Sequence, residues 1–167
     1  MKLLTIVVPC YNEEAALPFF LPAIQAEADK LRQAYSLDTE VLFVDDGSKD
    51  GTLGLLRSFA QQDSRMRYLS FSRNFGKEAA LCAGFEHARG DCVVVMDADL
   101  QHPPARLGDM YLALRDEGYD IAAARRVSRK GEPLIRSLLA RAFYKIINKI
   151  SKAEFVDGAS DFRMLSR

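Results

Sequence analysis

Five short strand-like runs, each ending in a cluster of polar residues, constrain this chain more than any other feature. They are Leu3–Val8, Glu40–Val44, Arg67–Phe71, Cys92–Met96 and Asp120–Ala124. The fourth, Cys-Val-Val-Val-Met, is apolar at every position, which suits a strand buried on both faces. Between the runs lie segments of helical character. Ala15–Arg32 carries an apolar stripe, Thr52–Gln62 follows Ser48 and Asp50 as candidate caps, Lys77–Ala88 exits at Gly90, and a fourth segment begins at Pro103-Pro104 and reaches Glu117. Such alternation predicts an α/β fold, a Rossmann-like and mostly parallel sheet with helices on both faces. Ligands bind such sheets beyond the carboxyl ends of the strands. The polar residues stand at those ends: Tyr11-Asn12-Glu13, Asp45-Asp46, Ser72-Arg73-Asn74, Asp97-Ala98-Asp99 and Arg125-Arg126.

The chain of 167 residues, about half of them hydrophobic, suits one domain with a real core and argues against disorder. Cys10, Cys82 and Cys92 are odd in number and scattered, and only two histidines are present, so no zinc pattern is predicted and a reducing compartment is expected. No apolar stretch has membrane length, and the short apolar start is read as a strand rather than a signal peptide. The net charge is zero but unevenly placed. Nine Lys or Arg stand against the single acid Glu132 between Arg125 and Lys152. Pro133–Ile150 is predicted as an amphipathic helix, with Arg141, Lys145, Lys149 and Lys152 on one face. That face suits an anionic membrane surface, and a merely solvated face explains it equally well. Phe162–Leu165 is predicted to begin a further strand before the chain stops at Arg167.

Asp97-Ala98-Asp99 is the most informative element. Two carboxylates two residues apart, at the exit of a buried strand, can converge on one hard cation such as Mg²⁺ or Mn²⁺. Gln101 could add a carbonyl oxygen. A turn or cap would use the same residues, and the buried strand before them favours the metal. Asp45 and Asp46 can accept hydrogen bonds from a base or a ribose, or shape the turn with Gly47; which of the two faces the ligand stays open. Lys77 at a helix start opposes the helix dipole, a local conflict that a phosphate or an ion pair would resolve. His87 is expected on a solvated helix face, and His102 either touches ligand or does not. No P-loop, dinucleotide fingerprint or nucleophile elbow is present.

Taken together, Val8-Pro9-Cys10-Tyr11-Asn12-Glu13-Glu14, the run from Val44 to Thr52 (Val-Asp-Asp-Gly-Ser-Lys-Asp-Gly-Thr) and the run from Asp97 to Pro104 resemble glycosyltransferase family 2, with its GT-A fold. Ser72-Arg73-Asn74-Phe75-Gly76-Lys77-Glu78 and the run from Ser160 to Arg167 are similar to polyprenyl-phosphate glycosyltransferases, the bactoprenol glucosyltransferases and dolichol-phosphate mannose synthases among them. The resemblance implies that Asp45 and Asp46 hold the nucleoside, with Pro9, Tyr11 and Glu13 in the same pocket and Lys77 and Ala98 also on the nucleotide sugar. It implies a metal, Mg²⁺ or Mn²⁺, on Asp97, Asp99 and Gln101. It puts Arg125 and Asp161, with Asp99, at the transferring sugar and the acceptor phosphate. The expected reaction is inverting transfer of a hexose from a nucleotide diphosphate sugar, UDP-glucose being preferred, to a polyprenyl phosphate at the cytosolic face of the membrane. One catalytic domain over residues 1–167 is expected, cut before C-terminal membrane segments, compatible with a homo-oligomer and without nucleic acid as partner. The competing expectations are a soluble sugar acceptor and a non-catalytic binding module.

Overall fold

The computed structural model describes residues 2–125 and 159–167, with the side chains of Arg125 and of residues 159–161 left undescribed. Its elements run β1 (Leu3–Cys10), α1 (Leu17–Tyr35), β2 (Asp38–Asp45), α2 (Thr52–Gln62), β3 (Met66–Ser70), α3 (Lys77–His87), β4 (Cys92–Val95), a 3-10 turn (Pro104–Arg106), α4 (Leu107–Asp116), β5 (Ile121–Arg125) and β6 (Ala159–Ser166). The chain divides into two compact units, Met1–Ala122 with Phe162–Arg167, and Ala123–Asp161. The predicted helix Pro133–Ile150 and its basic face lie outside the described residues.

The six strands form one sheet in the order β3-β2-β1-β4-β6-β5. β3, β2, β1 and β4 are parallel, with Cys10 level with Asp45 and Asp45 level with Ser70. These are four of the five strands read from the alternation; the fifth, β5, lies beyond β6. β6 departs from the parallel pattern by pairing antiparallel with β4, Met164 opposite Val94. The order reverses between β1 and β4, and that switch point opens a crevice at the carboxyl ends of the two strands.

Both faces are covered, as the continuous apolar strands require. On one face Val7, Leu42, Val44 and Val93 pack with Ala80 and Ala88, and Leu69 and Phe71 extend the cluster. On the other, Phe43 meets Phe20 edge-on at 6.1 Å and Phe59 at 6.1 Å. Each fully buried Val, Leu or Phe side chain among them contributes about 1.5–3 kcal/mol relative to exposure. α3 comes unusually close to β1, because a Cβ at Gly84 would collide with the Val7 side chain. That approach sets the start of α3, and Lys77 with it, over the crevice.

β1 runs two residues further than expected. Instead of ending at Val8, the strand passes through Pro9 to Cys10. The Cys10 carbonyl accepts from the Asp46 amide toward β2, and the Val7 carbonyl accepts from the Met96 amide toward β4. Backbone directions alternate, so the N–H missing at Pro9 would have faced β4, where pairing ends at Val7 and Val95.

Candidate active site

Four loops meet at the carboxyl rim of the sheet, and three of them are tied together by hydrogen bonds. Asn12 donates its amide to Ser48 Oγ at 3.0 Å and accepts from the Lys49 amide at 2.9 Å. Glu13 donates its amide to Thr52 Oγ1 at 2.8 Å, and the Gly51 amide donates to Glu14 Oε2 at 2.9 Å. Neither candidate cap is the N-cap of α2, which is Gly51 with no side-chain capping bond; Asp50, one residue earlier, accepts from the Thr52 amide at 3.0 Å, and Ser48 serves the loop before α1. Each of the four loops holds a residue with positive φ: Asn12 at 56°, Gly47 at 67°, Gly76 at 99° and Leu100 at 58°. For Leu100, directly after Asp99, this is a strained backbone of the kind that clusters at functional sites.

The two acids after β2 have separate roles. Asp45 is buried, and its oxygens accept from the Ser48 amide at 3.0 Å and from Ser70 Oγ at 2.9 Å. It braces β2, its turn and the end of β3. Asp46 accepts from the amides of Phe75 at 2.7 Å and Gly76 at 2.9 Å, fixing the loop before α3. Gly47 lets that loop come down on the turn. A Cβ there would lie 2.7 Å from both Arg73 Cα and the Asn74 amide nitrogen. Arg73 in turn lies over the exposed Phe75 ring at 4.7 Å.

The result is a cleft of about 380 Å³ lined by Pro9, Cys10, Tyr11, Glu13, Asp46, Asn74, Gly76, Lys77, Ala80, Asp97 and Asp99. It therefore gathers seven of the residues singled out from the sequence: Pro9, Tyr11, Glu13, Asp46, Lys77, Asp97 and Asp99. Asp45 and Ala98 are buried behind it, and the Gln101 side chain is exposed outside its lining. Gln101 instead donates its backbone N–H to Asp99 Oδ1 at 3.0 Å, which orients that carboxylate. His87 is exposed on α3 with Nδ1 2.9 Å from the Ala83 carbonyl oxygen, and His102 stacks on Phe162 at 5.1 Å rather than lining the cleft. The side chains of Arg125 and Asp161 lie outside the described residues. Cys10 and Ala80 line the cleft without having been foreseen. An apolar wall carries no chemical signature in a sequence, and only their places at the end of β1 and in the first turn of α3 point to it.

The cleft sets one ammonium, Lys77, among the carboxylates of Glu13, Asp46, Asp97 and Asp99. Lys77 Nζ lies 2.9 Å from Asp97 Oδ1 and 3.2 Å from Oδ2. This ion pair answers the conflict between Lys77 and the helix dipole. Glu13 holds its proton more tightly than usual, because of burial first and then the negative charges of Asp99, Asp97 and Asp50. The Cys10 thiol is likewise pushed up by burial and by Glu13, Asp45 and Asp97, which disfavours its thiolate. Among the described residues, no three His, Cys, Asp or Glu side chains are grouped to hold a metal alone. Asp97 and Asp99, which share the cleft with Glu13, nevertheless have the chemistry for a hard cation that would complete its shell from water and substrate phosphates.

The sequence profile of glycosyl transferase family 2 matches residues 5–167. The chain belongs to this family. Among curated relatives it is 45% identical over 165 residues to CsbB of Bacillus subtilis (strain 168), a protein named only provisionally as a glycosyltransferase, covering 99% of this chain and 48% of CsbB. It is 37% identical over 164 residues to the bactoprenol glucosyl transferase of Shigella phage SfV, covering 98% of this chain and 52% of that protein. This family 2 chain thus spans about half the length of the curated relatives it matches. Among solved structures it is similar to the mannosyltransferase PcManGT from Pyrobaculum calidifontis in complex with GDP-Man and Mn²⁺. The TM-score is 0.64 at 24% identity, over 98% of this chain and 44% of that one. The fold is GT-A. No helix among the described residues is long and apolar enough to cross a membrane.

Proposed function

We propose that this chain is the catalytic unit of an inverting glycosyltransferase that moves a hexose from a nucleotide diphosphate sugar to a polyprenyl phosphate at the cytosolic face of a membrane. The observation that carries the reading is the meeting of Glu13, Asp46, Lys77, Asp97 and Asp99 on one cleft at the topological switch point of a family 2 chain. The names of the bactoprenol relatives support the acceptor. UDP-glucose is the donor we prefer.

Within this reading, Asp97 and Asp99 hold Mg²⁺ or Mn²⁺, and Asp46 keeps the loop before α3 at the nucleotide. When bound, the cation neutralises charge on the leaving diphosphate. Lys77 offers a second cationic partner to the phosphates. The acceptor needs little activation, because a phosphate monoester with a second pKa of about 6 is already largely anionic at neutral pH. Asp161 therefore positions the acceptor rather than deprotonating it. Arg125, Arg126 and Arg129 draw the two anionic substrates together.

The test is a transfer assay with radiolabelled UDP-glucose, Mn²⁺ and either an undecaprenyl phosphate or a panel of soluble sugars. Label is expected in the lipid fraction. Label only in soluble glycosides would replace the acceptor, and tight donor binding without transfer to anything would make the chain a binding module.

A further inference from the structure

The loop that enters α3 lies over the turn that ends β2. Gly47 in that turn admits it so closely that a Cβ there would stand 2.7 Å from the Asn74 amide nitrogen. Asp46 commits both oxygens to the same loop, accepting from the amides of Phe75 at 2.7 Å and Gly76 at 2.9 Å. The Asn74 side chain is exposed, lines the cleft and takes no part in those bonds. Asp97 and Asp99 follow β4, and β1 stands between β4 and β2. Two strand spacings, about 10 Å, thus separate the rim positions of the acid pair and of the turn beneath Asn74. A cation on the acid pair would hold the diphosphate on the β4 side, so the nucleoside extends along the cleft past Tyr11 toward β2. We propose that Asn74 reads the base of the donor, its carboxamide pairing with the edge of a uracil, while Asp46 acts only through the loop that presents it. This rests on the reading of the cleft as a nucleotide-sugar site.

The physical reason is the match of donors and acceptors. A carboxamide carries both, so it can accept from the ring N–H of uracil and donate to a carbonyl oxygen beside it. A carboxylate in the same place would only accept, and it would face those carbonyl oxygens as well as the N–H. Guanine presents two adjacent N–H groups on its edge, which suit a carboxylate. The residue type at position 74 therefore biases the choice of base, because a mismatched polar group is left unpaired.

Calorimetry with UDP, GDP and inorganic pyrophosphate, each with Mn²⁺, separates contacts to the base from contacts to the phosphates. Asn74→Ala should weaken UDP roughly tenfold and leave pyrophosphate, which has no base, unchanged. Asn74→Asp should shift the ratio of UDP to GDP affinity toward GDP. Thermal unfolding of each variant, expected to match wild type at this exposed position, guards against a folding defect. If wild type and both variants bind UDP alike, or if Asn74→Ala weakens pyrophosphate as much as UDP, the nucleotide reading stands and the base-reading proposal is overturned. If wild type binds neither nucleotide, both fall.

Discussion

At the residue scale, the site depends on a few positions whose chemistry is dictated by close approach. Gly47 is the sharpest case. Its φ of 67° disfavours any side chain, and a Cβ would press on the backbone of Arg73 and Asn74. Gly47→Ala should therefore destabilise by about 2–4 kcal/mol and also weaken nucleotide binding, because the displaced loop carries Asn74 and Gly76. Chemical denaturation and a UDP titration check the two effects; a variant as stable as the parent would mean that the loop adapts at no cost. The sequence made this glycine visible as a turn residue, and it made the carboxylates visible because they end a strand too apolar to be anything but buried. It did not reveal which of Asp45 and Asp46 reaches the cleft. Both are turn formers in sequence, and only the positions of Ser70 and of the Phe75 amide, far along the chain, separate their roles.

At the element scale, helices and strands are tied together at the end away from the cleft by polar groups, buried at Thr5 and Glu40 and partly exposed at Asp63 and Arg65. Burial pushes the Glu40 carboxyl up, but bonds from Thr5 Oγ1, the Arg89 amide and Arg67 outweigh it and hold it below the ordinary value. Between α2 and β3, Arg65 binds Asp63 at 2.8 Å and reaches Asp29 of α1 at 2.8 Å. The Arg65 guanidinium beside Asp63 holds that carboxyl down to about 2, against the opposing effect of burial. A depressed carboxyl stabilises the fold at pH values above its unfolded pKa, and the contribution fades as pH falls toward the folded one. Asp63→Asn should cost about 1–2 kcal/mol at pH 7, reduced from the full shift because Arg65 is partly exposed, and the difference from wild type should close between about pH 4 and pH 2. Urea unfolding across that range measures it, and a pH-independent gap would show that the charge is not what Asp63 contributes. The parallel strands and their order of appearance were legible because each is an apolar run closed by polar residues. The antiparallel insertion of β6 between β4 and β5 was not, since strand neighbours distant in sequence leave no local periodicity. The ends of β1 and α1 shifted for local reasons. Pro9 escapes a ladder bond, and the Glu13 carbonyl accepts from the amides of Ala16 and Leu17, so a turn precedes the helix.

At the scale of the whole molecule, the acidic cleft and the basic segment divide the charge of a neutral chain. The cleft belongs to the described residues, whereas Arg141, Lys145, Lys149 and Lys152 are known from sequence alone. If these four face a membrane, the protein should sediment with anionic vesicles better than with neutral ones, at about 1 kcal/mol per basic residue, and salt should weaken the difference. Equal sedimentation at low salt would make that face merely solvated. The central claim, however, is that Asp97 and Asp99 couple a divalent cation to a nucleotide diphosphate in the cleft. The most direct measurement is calorimetric titration of UDP-glucose into wild type and Asp99→Asn, each with and without Mn²⁺. The account predicts that Mn²⁺ tightens binding to wild type and that Asp99→Asn, still folded, loses this enhancement. Enhancement by Mn²⁺ that survives intact in Asp99→Asn would contradict it.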